Sequence, residues 1–412
     1  MANRSQTYDV VVIGGGLSGL MAAAAARQQG ADVAVLAEGS GMLELASGCI
    51  DLLGLTPGRA WVVDPWEALA DLPPAHPYRM LGAAAVREAL EAFVSVCAQM
   101  GLAYGAEPGG INQRLVTAVG RLRPTYLAAP GMAVTGGARA LWVVGFRGLK
   151  EFHPGVVAEG LRAALPDALI TWSWVDLPPG AADVHPVQLA RLLEEPSFRD
   201  RLDVAAPRVC DLVLMPAVLG LDGAAAVRGA ICEAVGAPVA EVPLLSPSIP
   251  GLRLSTLLQR YLQRAEVTLC LGTRVTGARL SGGRVAAVTA GATEFRAGSF
   301  VLATGGLLGQ GLVVSHRTVE EPVFGLPVES LGCWADESLL PRGGHPFVRA
   351  GIRTDEALRP AGLANLHVCG RMLAGYDPYV EASGGGVAIA SGWRAGLLAG
   401  TQAGTQAGGA VR

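Results

Sequence analysis

The sequence has few charged and few aromatic side chains. Charged residues make up 16% and aromatic residues 5% of the 412 residues, and Lys150 is the single lysine. Surfaces that bind nucleic acid need clustered positive charge with interleaved aromatic side chains, and the sequence contains no such stripe. Its formal net charge is −3. Nucleic acid is therefore not an expected partner.

Cysteine is also sparse. The seven cysteines form no C-x-x-C pair and no tight cluster with histidine, and they lie at positions 49, 97, 210, 232, 270, 333 and 369. Iron–sulfur clusters and structural zinc sites need several such ligands at short spacing. We therefore expect no metal site built by this chain alone. An odd, dispersed set of thiols is typical of a reduced cytoplasmic protein.

Long uninterrupted apolar runs are missing as well. The uncharged stretches 10–26 and 297–316 are broken by four and five glycines, at positions where turns are expected. A signal peptide or a transmembrane helix needs a continuous apolar segment. We expect contact with a membrane only through a partner.

Apolar residues and glycine are abundant instead. The chain is 51% hydrophobic and contains 56 glycines, and its length suffices for two or three domains with buried cores. Residues 8–13 form a β-branched run typical of a buried parallel strand, 17–29 an alanine-rich helix, and 32–37 a second strand. This β-α-β unit predicts a Rossmann-like α/β fold.

Gly14, Gly16 and Gly19 form a G-x-G-x-x-G pattern between the first strand and the helix. The first glycine permits a tight turn, the second lets the backbone approach a pyrophosphate, and the third lets helix and strand pack closely. The backbone N–H groups at the helix start, at Leu17 and Ser18, attract phosphate. The pattern therefore predicts dinucleotide binding.

Further candidate cofactor-binding residues follow other strands or precede the last helix. Glu38 ends the second strand, nineteen residues after Gly19, where a carboxylate accepts hydrogen bonds from an adenosine ribose. Asp377 is a candidate acceptor for a ribityl hydroxyl, and the N-terminus of the last helix a candidate donor to a flavin carbonyl. The remaining candidates are small residues that permit close backbone approach: Ser47, Gly48, Thr304, Gly305, Gly370, Gly385 and Gly386.

Changes in composition along the chain suggest that one domain is inserted into another. We predict an α/β, two-dinucleotide-fold flavin-binding domain in three segments, an inserted α+β cap domain in two segments, and a flexible tail. The flavin-binding segments are 1–60, 251–310 and 361–400, the cap segments 61–250 and 311–360, and the tail 401–412.

Several motifs resemble a known family. The glycine pattern, the strand end at 303–305 and the C-terminal helix resemble the two-dinucleotide-fold flavoproteins related to fumarate reductase and succinate dehydrogenase flavoprotein subunits. Three runs are similar to the B subunit of anaerobic glycerol-3-phosphate dehydrogenase: 47–53 (SGCIDLL), 354–360 (TDEALRP) and 375–387 (GYDPYVEASGGGV). The resemblance is loose from about 60 to 240, and no site residue is carried over there.

The resemblance implies a flavin-containing subunit that works with a catalytic flavoprotein, the A subunit, together with an iron–sulfur, membrane-anchoring C subunit. It implies that the complex oxidises sn-glycerol 3-phosphate to dihydroxyacetone phosphate and passes electrons to quinone. The chain is then cytoplasmic and peripheral to the inner membrane through its partners. Two alternatives stay open: a non-catalytic assembly subunit that keeps the fold, and an independent FAD-dependent oxidoreductase.

Two observations bear on the identity of the flavin, and they disagree. The resemblance favours FMN. FMN has neither adenosine nor pyrophosphate, however, so it leaves Glu38 and the loop of residues 14–19 without partners. We therefore predict FAD, with FMN as the alternative.

Candidate catalytic residues are cations and histidines near the predicted flavin edge. Oxidation of a secondary alcohol needs a base for the hydroxyl proton, and a phosphate group favours arginine forks. Arg359 is the preferred phosphate ligand because it lies in the TDEALRP motif, with Arg317 as a second. His316 is a candidate base, and His345 is another.

Overall fold

The structure is a computed structural model that describes residues 4–134, 137–178, 183–204, 206–315, 318–329, 338, 341 and 344–409. Its strands, in chain order, are β1 (Arg4–Ile13), β2 (Val33–Ala37), β3 (Gly105–Ala106), β4 (Gln113–Val116), β5 (Leu122–Thr125), β6 (Leu127–Ala128), β7 (Ala140–Phe146), β8 (Leu169–Val175), β9 (Leu212–Pro216), β10 (Val239–Val242), β11 (Thr268–Leu271), β12 (Gly277–Ser281), β13 (Arg284–Ala290), β14 (Thr293–Leu302), β15 (Val313–Ser315), β16 (Thr318–Glu320), β17 (Val328–Glu329), β18 (Gly351–Ile352) and β19 (Leu366–Val368). Its α-helices are α1 (Leu17–Gln28), α2 (Pro65–Ala68), α3 (Pro77–Leu81), α4 (Ala83–Gln99), α5 (Pro154–Ala164), α6 (Pro186–Leu192), α7 (Pro196–Arg199), α8 (Ala224–Val235), α9 (Ile249–Arg264), α10 (Pro378–Glu381) and α11 (Gly384–Gly409).

The chain forms two compact units. The first comprises Met1–Met42, Asp51–Gly101 and Leu257–Arg412, and the second comprises Leu43–Ile50 and Leu102–Thr256. The second unit thus interrupts the first at two places, 43–50 and 102–256, and these boundaries differ from the predicted ones.

The predicted cap domain differs from the second unit at two places. It starts too early in the sequence, and its predicted second segment belongs to the first unit. Residues 61–101 belong to the first unit because α3 and α4 pack against α11, and α4 buries Val86 and Phe93. The segment 311–360, predicted to return to the cap, also lies in the first unit, where Ile352 forms a parallel bridge with Leu373. Pro-rich composition distinguishes both segments from a Rossmann core, but composition does not specify packing partners.

The first unit contains a seven-stranded sheet with the order β11-β2-β1-β14-β13-β12, in which β19 also pairs with β14. Strands β11, β2, β1, β14 and β19 are parallel, and β12 and β13 form an antiparallel hairpin turned at Gly282 and Gly283. The chain passes from β1 to β2 on one side and later returns to the other side of β1 with β14. This reversal is a topological switch point, where doubly wound sheets bind ligands at their carboxyl ends.

Helices α1 and α11 pack closely in the first unit because small residues separate them. A Cβ on Gly392 would lie 2.3 Å from the carbonyl oxygen of Ser18, and one on Gly396 would lie 2.1 Å from that of Ala22. The face of α1 is largely alanine, and these alanines are buried. Glycine and alanine therefore let two backbones approach where larger side chains cannot fit.

The predicted flexible tail, 401–412, is instead helical up to Gly409. Ala403 is buried, and the side-chain amide of Gln402 donates to the carbonyl oxygen of Ala364 at 3.0 Å. Low complexity misled the prediction because the repeated Thr-Gln-Ala-Gly retains enough helix-forming residues to continue a packed helix. No helix within the described ranges is both long and apolar enough to cross a membrane.

The second unit combines a four-stranded parallel sheet, β10-β9-β7-β8, with the antiparallel pairs β3–β6 and β4–β5. Every residue of β7 is buried, as expected of a central strand. A buried ion pair joins Arg253 to Glu241, and Arg253 also donates to the carbonyl oxygen of Gly220. The unit thus has a core and a satisfied polar network of its own.

Candidate functional site

The loops that follow β1, β14 and β19 meet at the carboxyl edge of the first unit's sheet. Gly14 N–H donates to the carbonyl oxygen of Leu36 at 2.8 Å, Ala303 N–H to that of Ile13 at 2.8 Å, and Cys369 N–H to that of Leu302 at 3.1 Å. Five of the predicted positions lie on these loops: Gly14, Gly16, Thr304, Gly305 and Gly370. The structure therefore brings together residues that are up to 356 positions apart in the sequence, from 14 to 370.

The three motif glycines have three different environments. Gly14 has φ +117°, and a Cβ there would lie 2.2 Å from the carbonyl oxygen of Ala303. A Cβ on Gly19 would lie 2.0 Å from the carbonyl oxygen of Gly14, so this glycine permits contact between helix and strand. A Cβ on Gly16 would meet no atom within 4 Å. Gly16 thus faces open space, which fits the predicted phosphate position.

The start of α1 is free of acidic residues. Its N-cap is Gly16, no side chain caps it, and its first turn contains no Asp or Glu. Leu17 and Ser18 therefore offer backbone N–H groups at the positive end of a twelve-residue helix. The Ser18 hydroxyl lies beside Gly370 within the protein.

Ser18 is buried, and a Cβ on Gly370 would lie 2.3 Å from its Oγ. Burial raises the pKa of the Cys369 thiol to about 12, and a hydrogen bond from Ser18 partly offsets this rise.

Glu38 directly follows β2 and is accessible to solvent. Its side chain is 58% exposed and lies 3.5 Å from the guanidinium of Arg274, which is 53% exposed. An ion pair this exposed contributes little stability. The carboxylate therefore keeps acceptor sites that a ribose can use.

Two buried side-chain oxygens near this edge have no hydrogen-bond partner among the described residues. They are Oγ1 of Thr304, which follows β14, and Oδ2 of Asp377, which precedes α10. Buried polar atoms are seldom left unpaired, so each is a candidate acceptor or donor for a bound ligand. Gly305, beside Thr304, has φ +82° and lets the chain turn away from the strand.

The start of α11 differs from its predicted role at one residue. Gly386 N–H donates to the carbonyl oxygen of Asp51 at 2.9 Å, and a Cβ on Gly386 would lie 2.2 Å from the hydroxyl oxygen of Tyr78. Its N–H is therefore used within the protein, and the predicted donation to a flavin carbonyl is wrong for Gly386. Gly385 is half-buried at the same helix start, and its role stays a prediction.

Ser47 and Gly48 belong to the second unit. Ser47 Oγ accepts a hydrogen bond from Cys49 N–H at 3.3 Å, and the Gly48 carbonyl oxygen accepts one from the Tyr104 hydroxyl at 2.6 Å. Gly48 has φ +78°, and a Cβ there would lie 2.7 Å from Pro250 Cβ. Packing within this unit therefore accounts for the glycine, and its cofactor role stays a prediction.

Arg359 lies beside a cavity of about 810 Å³ in the first unit. Its Nε and Nη2 lie 3.0 Å and 2.9 Å from Oδ2 of Asp355. The same cavity is lined by Arg353, which pairs with Glu329 at 2.6 Å, and by Thr354, whose buried Oγ1 has no partner among the described residues. The other catalytic candidates, His316 and Arg317, lie outside the described residues.

A buried pair that sequence patterns did not reveal lies in the same unit. His76 Nε2 is 3.1 Å from Oε2 of Glu381, and His76 Nδ1 accepts a hydrogen bond from Tyr78 N–H at 3.1 Å. Because Nδ1 accepts, the imidazole proton sits on Nε2 and is donated to the carboxylate. The sequence gives little indication of this pair, because His76 is an isolated histidine before Pro77 and lies 305 positions from Glu381.

Aromatic rings enclose this pair. Tyr78 and Tyr376 have ring centroids 5.2 Å and 5.8 Å from that of His76. Burial raises the pKa of Tyr376 to about 12 and that of Tyr78 well above its usual value. Both phenols therefore stay protonated at neutral pH and act as hydrogen-bond donors.

The residues at this edge fit a flavin dinucleotide. The open space at Gly16 and the uncapped start of α1 fit a pyrophosphate, and the unpartnered oxygens of Thr304 and Asp377 fit polar groups of the same ligand. Within the described part of the chain, no group of three His, Cys, Asp or Glu side chains is placed to hold a metal ion.

Comparison with known proteins agrees with this fit. Residues 9–387 match the FAD binding domain family. A Halobacterium salinarum protein, named as a probable B subunit of anaerobic glycerol-3-phosphate dehydrogenase, is 36% identical, with 94% of this chain and 96% of that protein covered. The Vibrio cholerae protein named as the B subunit of the same enzyme is 32% identical, with 94% and 95% covered.

Two solved structures are among those similar to this chain. Mycobacterium smegmatis Sdh1 in complex with UQ1 is 14% identical, with 99% of this chain and 72% of that chain covered and a TM-score of 0.46. A single-substitution variant of E. coli quinol fumarate reductase FrdA is 11% identical, with 98% and 71% covered and a TM-score of 0.46.

The family match confirms the predicted fold class and confirms FAD, rather than FMN, as the cofactor. The similarity to curated relatives extends over nearly the whole of both chains. The chain is therefore a flavoprotein of the FAD binding domain family and belongs, within it, to the family of anaerobic glycerol-3-phosphate dehydrogenase B subunits.

Proposed function

We propose that this chain is the FAD-carrying subunit of a complex that oxidises sn-glycerol 3-phosphate to dihydroxyacetone phosphate and passes the electrons to quinone. The observation that carries the proposal is the similarity, over 94% of the chain, to relatives named as the B subunit of an anaerobic glycerol-3-phosphate dehydrogenase. The FAD cradle at the carboxyl edge of the sheet supports it. Bound FAD supplies a hydride acceptor for the oxidation of a secondary alcohol.

In this proposal the chain's own residues bind the FAD cofactor and orient it. The backbone at Gly16 and the N–H groups of Leu17 and Ser18 hold the pyrophosphate, and Glu38 accepts hydrogen bonds from the adenosine ribose. Gly14 and Gly19 fix this loop against β14 and α1 because neither position has space for a Cβ. Such preorganisation lowers the entropic cost of holding the cofactor.

Arg359 is the proposed ligand of the substrate phosphate. Its Nη1 makes no hydrogen bond within the described ranges, and the residue lines the cavity together with Arg353. Guanidinium groups are suitable partners for phosphate oxygens. Replacement Arg359→Lys should raise KM for sn-glycerol 3-phosphate more than it lowers kcat, and an unchanged KM rejects the assignment.

Partner chains complete the proposed enzyme. Relatives named as one subunit of an enzyme support an assembly, and the sequence motifs imply a catalytic A subunit, together with an iron–sulfur C subunit that anchors the complex to the membrane. In this arrangement electrons leave the chain through a partner and reach quinone there. The chain is then cytoplasmic and peripheral to the inner membrane.

Quinone reduction by the purified chain and by the co-purified complex tests the proposal. We expect the isolated chain to contain FAD but to reduce quinone slowly with sn-glycerol 3-phosphate, and the complex to turn over rapidly. Rapid turnover by the single chain supports an independent oxidoreductase instead. Rapid turnover by a complex in which the FAD of this chain stays oxidised supports a non-catalytic assembly role.

A further inference from the structure

The sheet of the second unit has one covered edge and one open edge. Beside β10, Glu241 N–H donates to the carbonyl oxygen of Gly131, and the carbonyl oxygen of Glu241 accepts from Ala133 N–H, both at 2.7 Å. The segment around Gly131 thus covers that edge. At the other end of the sheet, β8 pairs only with β7 among the described strands. The outer side of β8 is therefore open to pairing with another strand.

The hydrogen bonds between β7 and β8 show which residues of β8 face outward. Leu169 N–H donates to the carbonyl oxygen of Arg139 at 2.7 Å, and Arg147 N–H donates to that of Val175 at 2.9 Å. In a parallel pair, alternate residues direct both of their backbone groups to the same neighbouring strand. The odd-numbered residues of β8 therefore bond to β7, and the backbone groups of the even-numbered residues point away from the sheet.

These outward residues are Ile170, Trp172 and Trp174. The carbonyl oxygen of Ile170 already accepts a hydrogen bond from Nη2 of Arg162, at 2.8 Å. Within the described ranges, no segment other than β7 pairs with the backbone of Trp172 or Trp174. The open part of the edge is therefore centred on Ser173, between the two tryptophans.

Both tryptophans lie on the face of β8 that α5 covers. A Cβ on Gly155, in α5, would lie 3.4 Å from Cε2 of Trp172, and the ring centroid of His153, just before α5, lies 5.2 Å from that of Trp174. Trp172 is 42% exposed, and Trp174 is half-buried. Tryptophan is enriched among the residues that dominate protein interfaces, so this edge has the composition of a docking surface.

We propose that β8 pairs antiparallel with β8 of a second copy of this chain, about a two-fold axis at Ser173. In this register Trp172 of each copy lies opposite Trp174 of the other, and each of these pairs exchanges both of its backbone N–H···O bonds. Opposite residues of antiparallel strands share a face, so the tryptophans form two cross-strand aromatic pairs. The two four-stranded sheets then become one continuous sheet.

Charges at the two ends of β8 are complementary in this register. Asp176, directly after β8, is 81% exposed and lies 2.8 Å from Nε of Arg147. The register places Asp176 opposite Ile170 of the second copy, at the carbonyl oxygen that Arg162 binds. The guanidinium of Arg162, in a side chain that is 40% exposed, therefore lies close to a carboxylate of the other copy. The same contact occurs twice because the interface is symmetric.

Neighbouring registers fit less well. Pairing centred on Trp172 needs the carbonyl oxygen of Ile170, which Arg162 already occupies. Pairing centred on Trp174 places Trp172 opposite the carboxylate of Asp176. The register about Ser173 is the one that uses the open backbone groups and pairs both tryptophans with aromatic side chains.

The mass of the purified chain in solution, measured by light scattering at increasing concentration, tests the association. We expect twice the mass of one chain by about 100 µM. Trp172→Lys places a charge at the edge and should weaken the dimer by about 10-fold or more. The control is Leu271→Lys on β11, the edge strand of the first unit, because Leu271 is 55% exposed. It should stay within about two-fold of the wild type.

A disulfide tests the register independently. Ser173 lies opposite itself at a non-hydrogen-bonded position, where Cα atoms are about 4.5 Å apart, so Ser173→Cys should form an intermolecular disulfide under mild oxidation. Cysteine also keeps a weak acceptor for Trp142 Nε1, which donates to Ser173 Oγ at 3.1 Å. Thr171→Cys is the control, because Thr171 is more exposed but lies opposite Val175 in this register. Electrophoresis without reductant should show a linked dimer for Ser173→Cys alone.

Three results overturn the inference. The first is a wild-type chain that stays monomeric at all of these concentrations, even if Trp172→Lys then loses binding to a different subunit, because the edge would serve that subunit instead. The second is a dimer whose dissociation constant Trp172→Lys leaves unchanged. The third is disulfide formation by Thr171→Cys to the same extent as by Ser173→Cys, because the two strands would then not pair about Ser173.

Discussion

His76 Nε2 lies 3.1 Å from Oε2 of Glu381, and both side chains are shielded from water, with exposed fractions of 1% and 14%. The contact ties the segment before α3 to the end of α10. Because Nδ1 of His76 also accepts the N–H of Tyr78, the imidazole is held at both nitrogens. This pair therefore stabilises the part of the first unit that carries Asp377.

Replacement of His76 by alanine should destabilise the protein. Loss of the donor leaves a shielded carboxylate oxygen with one bond fewer, and we expect the free energy of unfolding to fall by about 2 to 3 kcal/mol. Chemical denaturation followed by circular dichroism measures this change. The control is His185→Ala, since His185 also precedes a proline at a helix start but is exposed and makes no capping bond. Equal effects of the two substitutions are incompatible with the proposed role of the pair.

Alanine substitutions at Gly16 and at Gly19 should affect different properties. Gly16→Ala should weaken FAD binding, and Gly19→Ala should lower the stability of the protein. At Gly16 a Cβ meets open space, so the flavin-free protein should keep its stability to within about 1 kcal/mol while FAD binding weakens by about 10-fold or more. At Gly19 a Cβ would lie 2.0 Å from a backbone oxygen, so stability should fall by about 3 kcal/mol. Thermal denaturation and flavin titration separate the two effects. Full FAD occupancy in Gly16→Ala rules out the proposed pyrophosphate position.

Glu38 should distinguish FAD from FMN. If its carboxylate holds the adenosine ribose, Glu38→Gln weakens FAD binding by about 10-fold but leaves the weaker binding of FMN unchanged, because FMN has no adenosine. Arg274→Gln serves as control: it removes the exposed partner of Glu38 without removing the acceptor, and stability should change by less than about 1 kcal/mol. Fluorescence titration with both flavins measures this. Parallel losses for FAD and FMN exclude the ribose contact.

The buried His367 should make stability dependent on pH. Burial lowers its pKa, against hydrogen bonds with Ala357 and Gln402 that raise it. The folded state therefore keeps the imidazole neutral below pH 6.5, while the unfolded chain, with a pKa of about 6.5, takes up a proton. Stability that is present above this pH is lost as the pH falls through it.

A variant without the titrating group isolates this contribution. Asn at position 367 keeps a donor near the carbonyl oxygen of Ala357. Between about pH 7.5 and about pH 5.5, we expect the unfolding free energy of the wild type to decrease more than that of His367→Asn. Chemical denaturation of the wild type and of His367→Asn at both pH values measures the four unfolding free energies to be compared. A larger decrease of the unfolding free energy in His367→Asn than in the wild type contradicts the prediction.

The sequence predicts the parts of the fold whose patterns are local. The strand–glycine–helix unit at 8–29 is found as β1 and α1, and the second strand predicted at 32–37 is found as β2. These features depend on β-branched runs, alanine content and positive φ, which neighbouring residues determine. Local chemistry therefore suffices to predict a loop that can hold a pyrophosphate, and the residues of that site stay a prediction.

Features that depend on distant packing were not predictable in the same way. The sequence predicts that Gly386 contacts the flavin, but its N–H donates to the backbone carbonyl oxygen of Asp51. No local pattern specifies that contact. The pair of His76 and Glu381 depends on two segments that meet only in the folded unit. The domain boundaries at 61 and 311 were wrong for the same reason, since composition does not encode which helix packs on which.

The cradle at the carboxyl edge of the first unit's sheet should hold one FAD per chain. The most direct measurement is the identity and amount of the cofactor released by heat from the purified protein, determined by mass spectrometry and absorbance. We predict FAD, at about one per chain, and its loss in Gly16→Ala. Release of FMN alone, or of no flavin from well-folded protein, contradicts FAD binding in this cradle, because the pyrophosphate and ribose contacts would then have no ligand.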